Sequence, residues 1–243
     1  MSNVNLEVVI ACGGAGTRMS SILGDTPKIL APVGKHSFLD CTLNRWQEYG
    51  CTKIHLLLGF GSKEVWAAVM DWKKWNPNSE MKVSATIEPY QLGVIGALRF
   101  SESCLSDLFL FTYGDVYPTI PPQLLLDNLD VEDYGCLSVC QKDIAGEPPN
   151  ILLKNGRINH YSKNNESMTH VDIGMMVLRK KSLKVIEKLD RNLLNEAALL
   201  ETLAISGKLA GYEHNMPSIH IGDPEAYLNF LQWIEEKNAS HKK

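Results

Sequence analysis

The apolar positions of the chain switch between two spacings, and the switches mark its elements. Residues 6–11 form a largely apolar run that stops at a glycine cluster, as a strand buried on both faces should. Residues 38–49 place Phe38, Leu39, Leu43 and Trp46 at helical spacing and halt before Gly50, a residue well suited to closing a helix. A second strand is expected over 54–59 and a second helix over 63–75, with Val65, Trp66, Val69, Met70 and Trp72 on or near one face. A short strand over 82–87, a helix over 94–103 and a very apolar strand over 108–113 follow, the last ending at Gly114-Asp115. Pro121 and Pro122 suit the first turn of a helix reaching about residue 129.

The second half is richer in strands, at 135–141, 150–154, 158–161 and 171–178, with Asn155-Gly156 as a hairpin turn. Helices return at 180–189, 195–206 and 224–237, and the polar tail 238–243 is expected to fray. Strand and helix in alternation imply an α/β fold, with a mostly parallel central sheet covered by helices on both faces. No repeat or linker interrupts it, so residues 1–243 read as one domain. Ligands of such sheets bind at the carboxyl ends of the strands, where the loops after Ala11 and Tyr113 fall.

Composition narrows the class. A 243-residue chain can bury a sizeable core, and a formal net charge of −4 gives no basic surplus for nucleic acid. No run of about 18 apolar residues offers a membrane span. The opening residues show no basic segment followed by a long apolar one. The six cysteines, Cys12, Cys41, Cys51, Cys104, Cys136 and Cys140, are scattered without a CxxC hook and read as reduced thiols of a cytoplasmic protein. Trp66, Trp72 and Trp75 read as packing residues.

Chemistry concentrates after the first strand. Gly13, Gly14 and Gly16 let the backbone approach phosphates and turn N–H groups toward them. The third glycine of a dinucleotide fingerprint and the Lys-Ser/Thr ending of a Walker loop are both missing. Arg18 and Lys28 stand there instead, a planar fork and a point charge for phosphate oxygens. Phosphoryl transfer relies on such positioning and positive charge.

Gly13-Gly14-Ala15-Gly16-Thr17-Arg18-Met19 with Pro27-Lys28-Ile29-Leu30-Ala31-Pro32-Val33 resembles the sugar-phosphate nucleotidyltransferase pattern GGxGTR(L/M)…PKxxxPV. The resemblance implies a Rossmann-like three-layer α/β/α fold of the nucleotide-diphospho-sugar transferase (GT-A-like) type. It implies an NTP held by Gly13, Gly14, Gly16 and Thr17, with Arg18 and Lys28 as catalytic cations and Mg²⁺ as cofactor. It extends along the chain, implying a nucleotide-binding half over about 1–130 and a sugar-phosphate-binding half over about 131–237. Asp115 stands where the family holds Mg²⁺, and Leu92-Gly93-Val94-Ile95-Gly96-Ala97 resembles the loop and helix start that packs on the nucleoside, Val94 and Ile95 replacing Thr and Ala. Glu88-Pro89 takes the place of a base-reading Gln-Pro, and a carboxylate there can accept two N–H groups of guanine, which favours GTP.

Residues 158–163 resemble the family's I-x-x-(F/Y)-x-E-K, with Lys163 matching the sugar-phosphate lysine and Ser162 replacing Glu. Asp172 and Gly174 resemble the N-x-G strand of the sugar pocket. Residues 219–227 resemble I-D-I-G-x-P-E-D-Y, yet His220 occupies the position of the second metal-binding aspartate. Imidazole is a poor Mg²⁺ ligand. Three alternatives stand: Asp223 reaches the metal, Mn²⁺ replaces Mg²⁺, or Asp115 acts with phosphates and water alone; Asp223-Pro224-Glu225 also reads as a helix cap, which is preferred.

The expected function is transfer of NMP from an NTP to a sugar 1-phosphate, with heptose and hexose 1-phosphates first and the heptose 1-phosphate guanylyltransferases the most similar subgroup. A cytidylyltransferase for a phosphocholine- or phosphonate-type acceptor and a non-catalytic regulator are the alternatives. A glycosyltransferase would carry D-x-D, whereas Asp115-Val116-Tyr117 has only the first acid. The sequence leaves a homo-oligomer open.

Overall fold

The computed structural model describes residues 6–162, 167–188 and 195–240. Its elements run β1 (Glu7–Ala11), α1 (Ser20–Leu23), β2 (Pro32–Val33), β3 (His36–Ser37), α2 (Phe38–Glu48), β4 (Lys53–Leu58), α3 (Ser62–Trp75), β5 (Lys82–Ile87), α4 (Gly93–Phe100) and β6 (Leu108–Tyr113). Then come α5 (Pro122–Leu126), β7 (Gly135–Gln141), α6 (Lys142–Ala145), β8 (Ile151–Lys154), β9 (Arg157–Tyr161), β10 (His170–Arg179), α7 (Glu196–Ile205), β11 (Leu209–Glu213) and α8 (Pro224–Ser240). The pattern-based expectations hold for most of these. Residues 180–188 instead form a 3₁₀ run, α5 ends early, α8 continues to Ser240, and β11 was not anticipated.

One sheet carries the order β5-β4-β1-β6-β10-β7-β11-β9-β8. β5, β4, β1 and β6 are mutually parallel, and β11 is parallel to β7. β10 runs antiparallel to both β6 and β7, so it descends between strands that rise. Chain order reverses beside β1, whose two neighbours are β4 and β6, and a crevice opens there at the strand ends.

The apolar run over residues 8–11 of β1 follows from its two covered faces. Val8 and Ile10 pack with Phe38, Leu43 and Trp46 of α2, Val69 of α3 and Phe230 of α8, while Val9 packs on the other side with Ile95 and Leu98 of α4 and Leu199 and Leu203 of α7. This is the three-layer α/β/α arrangement. Phe38 and Trp46 are fully buried, and deleting a ring of that kind costs about 3–5 kcal/mol. α2 is fixed at its start by a capping box: Ser37 Oγ accepts from Asp40 N–H (3.1 Å) and Asp40 Oδ2 accepts from Ser37 N–H (2.7 Å).

Four of the cysteines are buried, Cys41 is half-buried and Cys104 is exposed, and all six are free thiols. Trp72 packs inside, donating from Nε1 to Asn44 Oδ1 (2.9 Å), but Trp75 is 84% exposed, contrary to the packing role expected of it. Among the described residues no helix is long and apolar enough to cross a membrane.

Candidate active site

The crevice beside β1 holds two adjoining clefts that share Tyr113 and Asp115. The first is lined by Gly13, Gly14, Gly16, Lys28, Glu88 and Gly93, together with Val94 and Ala97 of α4. Its floor is built by close backbone approach. Phe60 N–H donates to Gly13 C=O (3.2 Å), and Gly114 N–H donates to Ala11 C=O (2.8 Å). A Cβ on Gly13 would sit 2.9 Å from Glu88 Oε1 and 3.3 Å from Gly59 N, so a side chain there would displace the Glu88 carboxylate where the loop, the end of β4 and the end of β5 converge. Glu88 Oε2 accepts the Leu92 N–H (3.0 Å), which leaves Oε1 turned over these glycines.

Lys28 lies in a short 3₁₀ turn, Lys28–Leu30, and reaches Asp115 Oδ2 at 2.9 Å and the Gly222 carbonyl at 3.4 Å. The loop after β1, the strand end of β6 and the residues before α8 therefore meet at one ion pair. Both partners are partly exposed, with side-chain exposures of 15% and 25%. The pair thus stays open to a ligand and contributes about 1 kcal/mol or less to stability.

Arg18 does not line the glycine cleft. It lies in an exposed 3₁₀ turn, Thr17–Met19, and lines the second cleft with Glu147, Asp172, His220 and Asp223. Thr17 is exposed on the same turn. Asp172 is held on three sides. Its Oδ1 accepts from Gly174 N–H (2.8 Å), its Oδ2 from the Tyr161 hydroxyl (3.2 Å), and its own N–H donates to Asn150 Oδ1 (2.9 Å). Gly174 takes φ 85 within a register shift between β10 and β7, and a Cβ there would meet Val116 Cγ2 at 2.9 Å. Lys163 lies outside the described residues.

His220 is drawn away from a metal role. Its Nδ1 accepts from Gly222 N–H (3.0 Å) and its Nε2 lies 3.2 Å from Glu147 Oε1. That contact raises the imidazole pKa above its ordinary value and lowers that of Glu147. Asp223 Oδ1 accepts from Ala226 N–H (3.0 Å), the bond of an N-cap on α8, and this bond holds its carboxyl below the usual range. Among the described residues no three His, Cys, Asp or Glu side chains converge on a common point. Mg²⁺ commonly takes one or two carboxylates and completes its shell with phosphate and water. Asp115, a half-exposed carboxylate at a strand end, fits that donor chemistry, and His220 does not.

His220→Asp tests this arrangement without relying on turnover. It would set a fourth carboxylate beside Asp115, Glu147 and Asp223. The thermal midpoint without divalent cation should fall by about 2–4 °C, equivalent to about 1 kcal/mol in a chain this size, and should recover with added Mg²⁺. An unchanged midpoint with no Mg²⁺ response would show that no cation gathers at position 220.

Sequence reasoning missed Glu147, Asn150, Tyr161 and Glu196, all of which line the second cleft. Tyr161 alone carried a signal, as the aromatic of the I-x-x-Y stretch.

No family model matches the chain. It is 28% identical over 227 residues to a probable glucose-1-phosphate cytidylyltransferase of Bacillus subtilis, covering 86% of this chain and 88% of that protein. The chain is thus similar in sequence to sugar-phosphate nucleotidyltransferases. The chain is also 24% identical over 166 residues to the D-glycero-alpha-D-manno-heptose 1-phosphate guanylyltransferase of Campylobacter jejuni, over 63% of this chain and 73% of that one. The chain spans only 56% of the bifunctional protein GlmU of Methanococcus maripaludis, which it matches at 26% identity. Its fold is that of HddC from Yersinia pseudotuberculosis, solved in complex with GMP-PN, with a TM-score of 0.75 at 21% identity over 94% of this chain and 99% of that one.

Proposed function

We propose that the nucleotidyltransferase moves a nucleoside monophosphate from GTP to a hexose or heptose 1-phosphate and releases pyrophosphate. The observation that carries this reading is the placement of Asp115 and Lys28 where a glycine-lined cleft meets a larger polar one. An NTP lies against Gly13, Gly14, Gly16 and Gly93 with Thr17 at its edge, and the acceptor occupies the cleft of Asp172 and Gly174. Residues 1–130 thus serve the nucleotide and residues 131–237 the acceptor.

The chain's own groups do the following work. Lys28, oriented by Asp115 and the Gly222 carbonyl, offers a fixed positive charge to phosphate oxygens. Arg18, at the mouth of the acceptor cleft, stabilises charge that develops on the transferring group and pyrophosphate. The acceptor phosphate is already ionised, so no side chain need remove a proton. Mg²⁺ held by Asp115 would supply charge neutralisation among the phosphates.

The preference for GTP rests on Glu88. Its Oε1 is free to accept from a base edge, and guanine presents two adjacent N–H donors there where cytosine presents one amine. The guanylyltransferase relative and the GMP-PN complex support this choice. The Bacillus subtilis relative favours CTP as a second reading. Pyrophosphate release across four NTPs, each against a panel of sugar 1-phosphates, tests the proposal. GTP with a hexose or heptose 1-phosphate should give the fastest release. Faster release with CTP would replace guanine by cytosine, and binding without release in every pairing would leave a regulator.

A further inference from the structure

Glu196 is the first residue of α7, behind the cap Asn195, whose Oδ1 accepts from Ala198 N–H (2.9 Å). A glutamate in the first turn of a helix ordinarily turns its carboxylate to water and gains from the helix dipole. Here Oε1 is shut off from solvent and has no hydrogen-bond partner, while the residue lines the acceptor cleft beside Asn150, Tyr161 and Asp172. Those three neighbours bond to one another, and none of the bonds described above reaches Glu196. A buried carboxyl without a partner costs about 1–3 kcal/mol or more, so its retention calls for a use.

We infer that Glu196 is a specificity-determining residue that binds a hydroxyl of the acceptor's sugar ring. The inference rests on the transferase reading above and adds to it the part of the acceptor that is read. A hydroxyl fits this position and a phosphate does not. Glu196 and Asp172 make one wall of the cleft acidic, so the anionic end of the acceptor is directed toward Arg18 and Lys28 and its polyol end toward α7. Burial lifts the Glu196 carboxyl to about 7, and both of its protonation states remain able to bond a hydroxyl, the ionised one by accepting and the neutral one by donating as well.

The experiment compares Glu196→Ala and Glu196→Gln with the wild type, using each of the four NTPs, GTP first, and the panel of sugar 1-phosphates together with the monodeoxy analogues of the best acceptor. Glu196→Ala should raise the acceptor KM about 10- to 100-fold while the GTP KM stays within about twofold. Glu196→Gln keeps the size and the hydrogen-bonding capacity, and should recover most of the loss. One monodeoxy analogue should be a poor acceptor for the wild type and no worse than its parent for Glu196→Ala. Thermal midpoints of both variants should equal or exceed that of the wild type, because an unpartnered buried carboxyl has been removed. An acceptor KM unchanged in Glu196→Ala overturns the inference and leaves the transferase reading standing. A fall in thermal midpoint shared by both variants overturns it too, by showing a structural role. A wild type that releases no pyrophosphate with any pairing overturns the transferase reading itself, and this inference with it.

Discussion

Arg18→Ala should lower turnover by about 10²- to 10⁴-fold while leaving the fold intact. The side chain sits on an exposed 3₁₀ turn, and no ion pair among the described residues ties it to the rest of the protein. Exposed substitutions of that kind change stability by no more than about 0.5 kcal/mol. Arg18 lines the acceptor cleft and not the glycine cleft, so in the proposed mechanism it acts on the transferring group more than on ground-state NTP. The loss should therefore appear in kcat, with the NTP KM little changed. Guanidinium-specific charge is at stake, so Arg18→Lys should restore only a small part. Near-normal turnover in Arg18→Ala would remove the residue from the mechanism.

Asp115→Asn should separate two quantities that the ion pair with Lys28 combines. Stability should fall by about 1 kcal/mol or less, because both side chains are partly exposed and the amide oxygen still accepts from Lys28. Activity should fall by about 10²-fold or more, since an amide replaces the carboxylate best suited to a divalent cation. Calorimetric titration of NTP with and without Mg²⁺ gives an independent readout. The wild type should bind NTP more tightly with Mg²⁺, and Asp115→Asn should lose that gain. An undiminished gain would show that the cation is held elsewhere.

The fold was legible wherever the apolar spacing was long and uninterrupted. β5, β6 and β7 coincide with the runs expected of them; β6 and β7 are covered on both faces and are mostly apolar, whereas β5 at the sheet edge alternates buried and exposed positions at its start. β11 escaped notice because Gly211 interrupts its five residues; side chains of Leu153 and Ile158 from the neighbouring strands fill the space a Cβ there would take. The residues at 180–188 carry helical periodicity but close as a 3₁₀ run, a difference that spacing alone does not distinguish. Local motifs likewise pointed to Gly13, Lys28 and Asp115, since the chemistry of each is visible beside its neighbours. Glu147 and Glu196 were silent, because a carboxylate becomes informative only when the tertiary structure buries it or pairs it. The preferred reading of Asp223 as a cap needed only the adjacent Pro224, and its bond to Ala226 is present.

The reversed direction of β10 has a consequence for how this scaffold can change. Thr112 near the end of β6 pairs with Met175, so the earlier residues of β10 project past the end of β6 onto the rim. The rim is therefore furnished from the start of one strand and the finish of another, and those two stretches are far apart in sequence. On the proposed reading, substrate preference can drift by editing positions 170–174 and the helix start at 196, while the glycine loop after β1 is inherited unaltered. A lineage built this way can keep one reaction and diversify the sugars it serves.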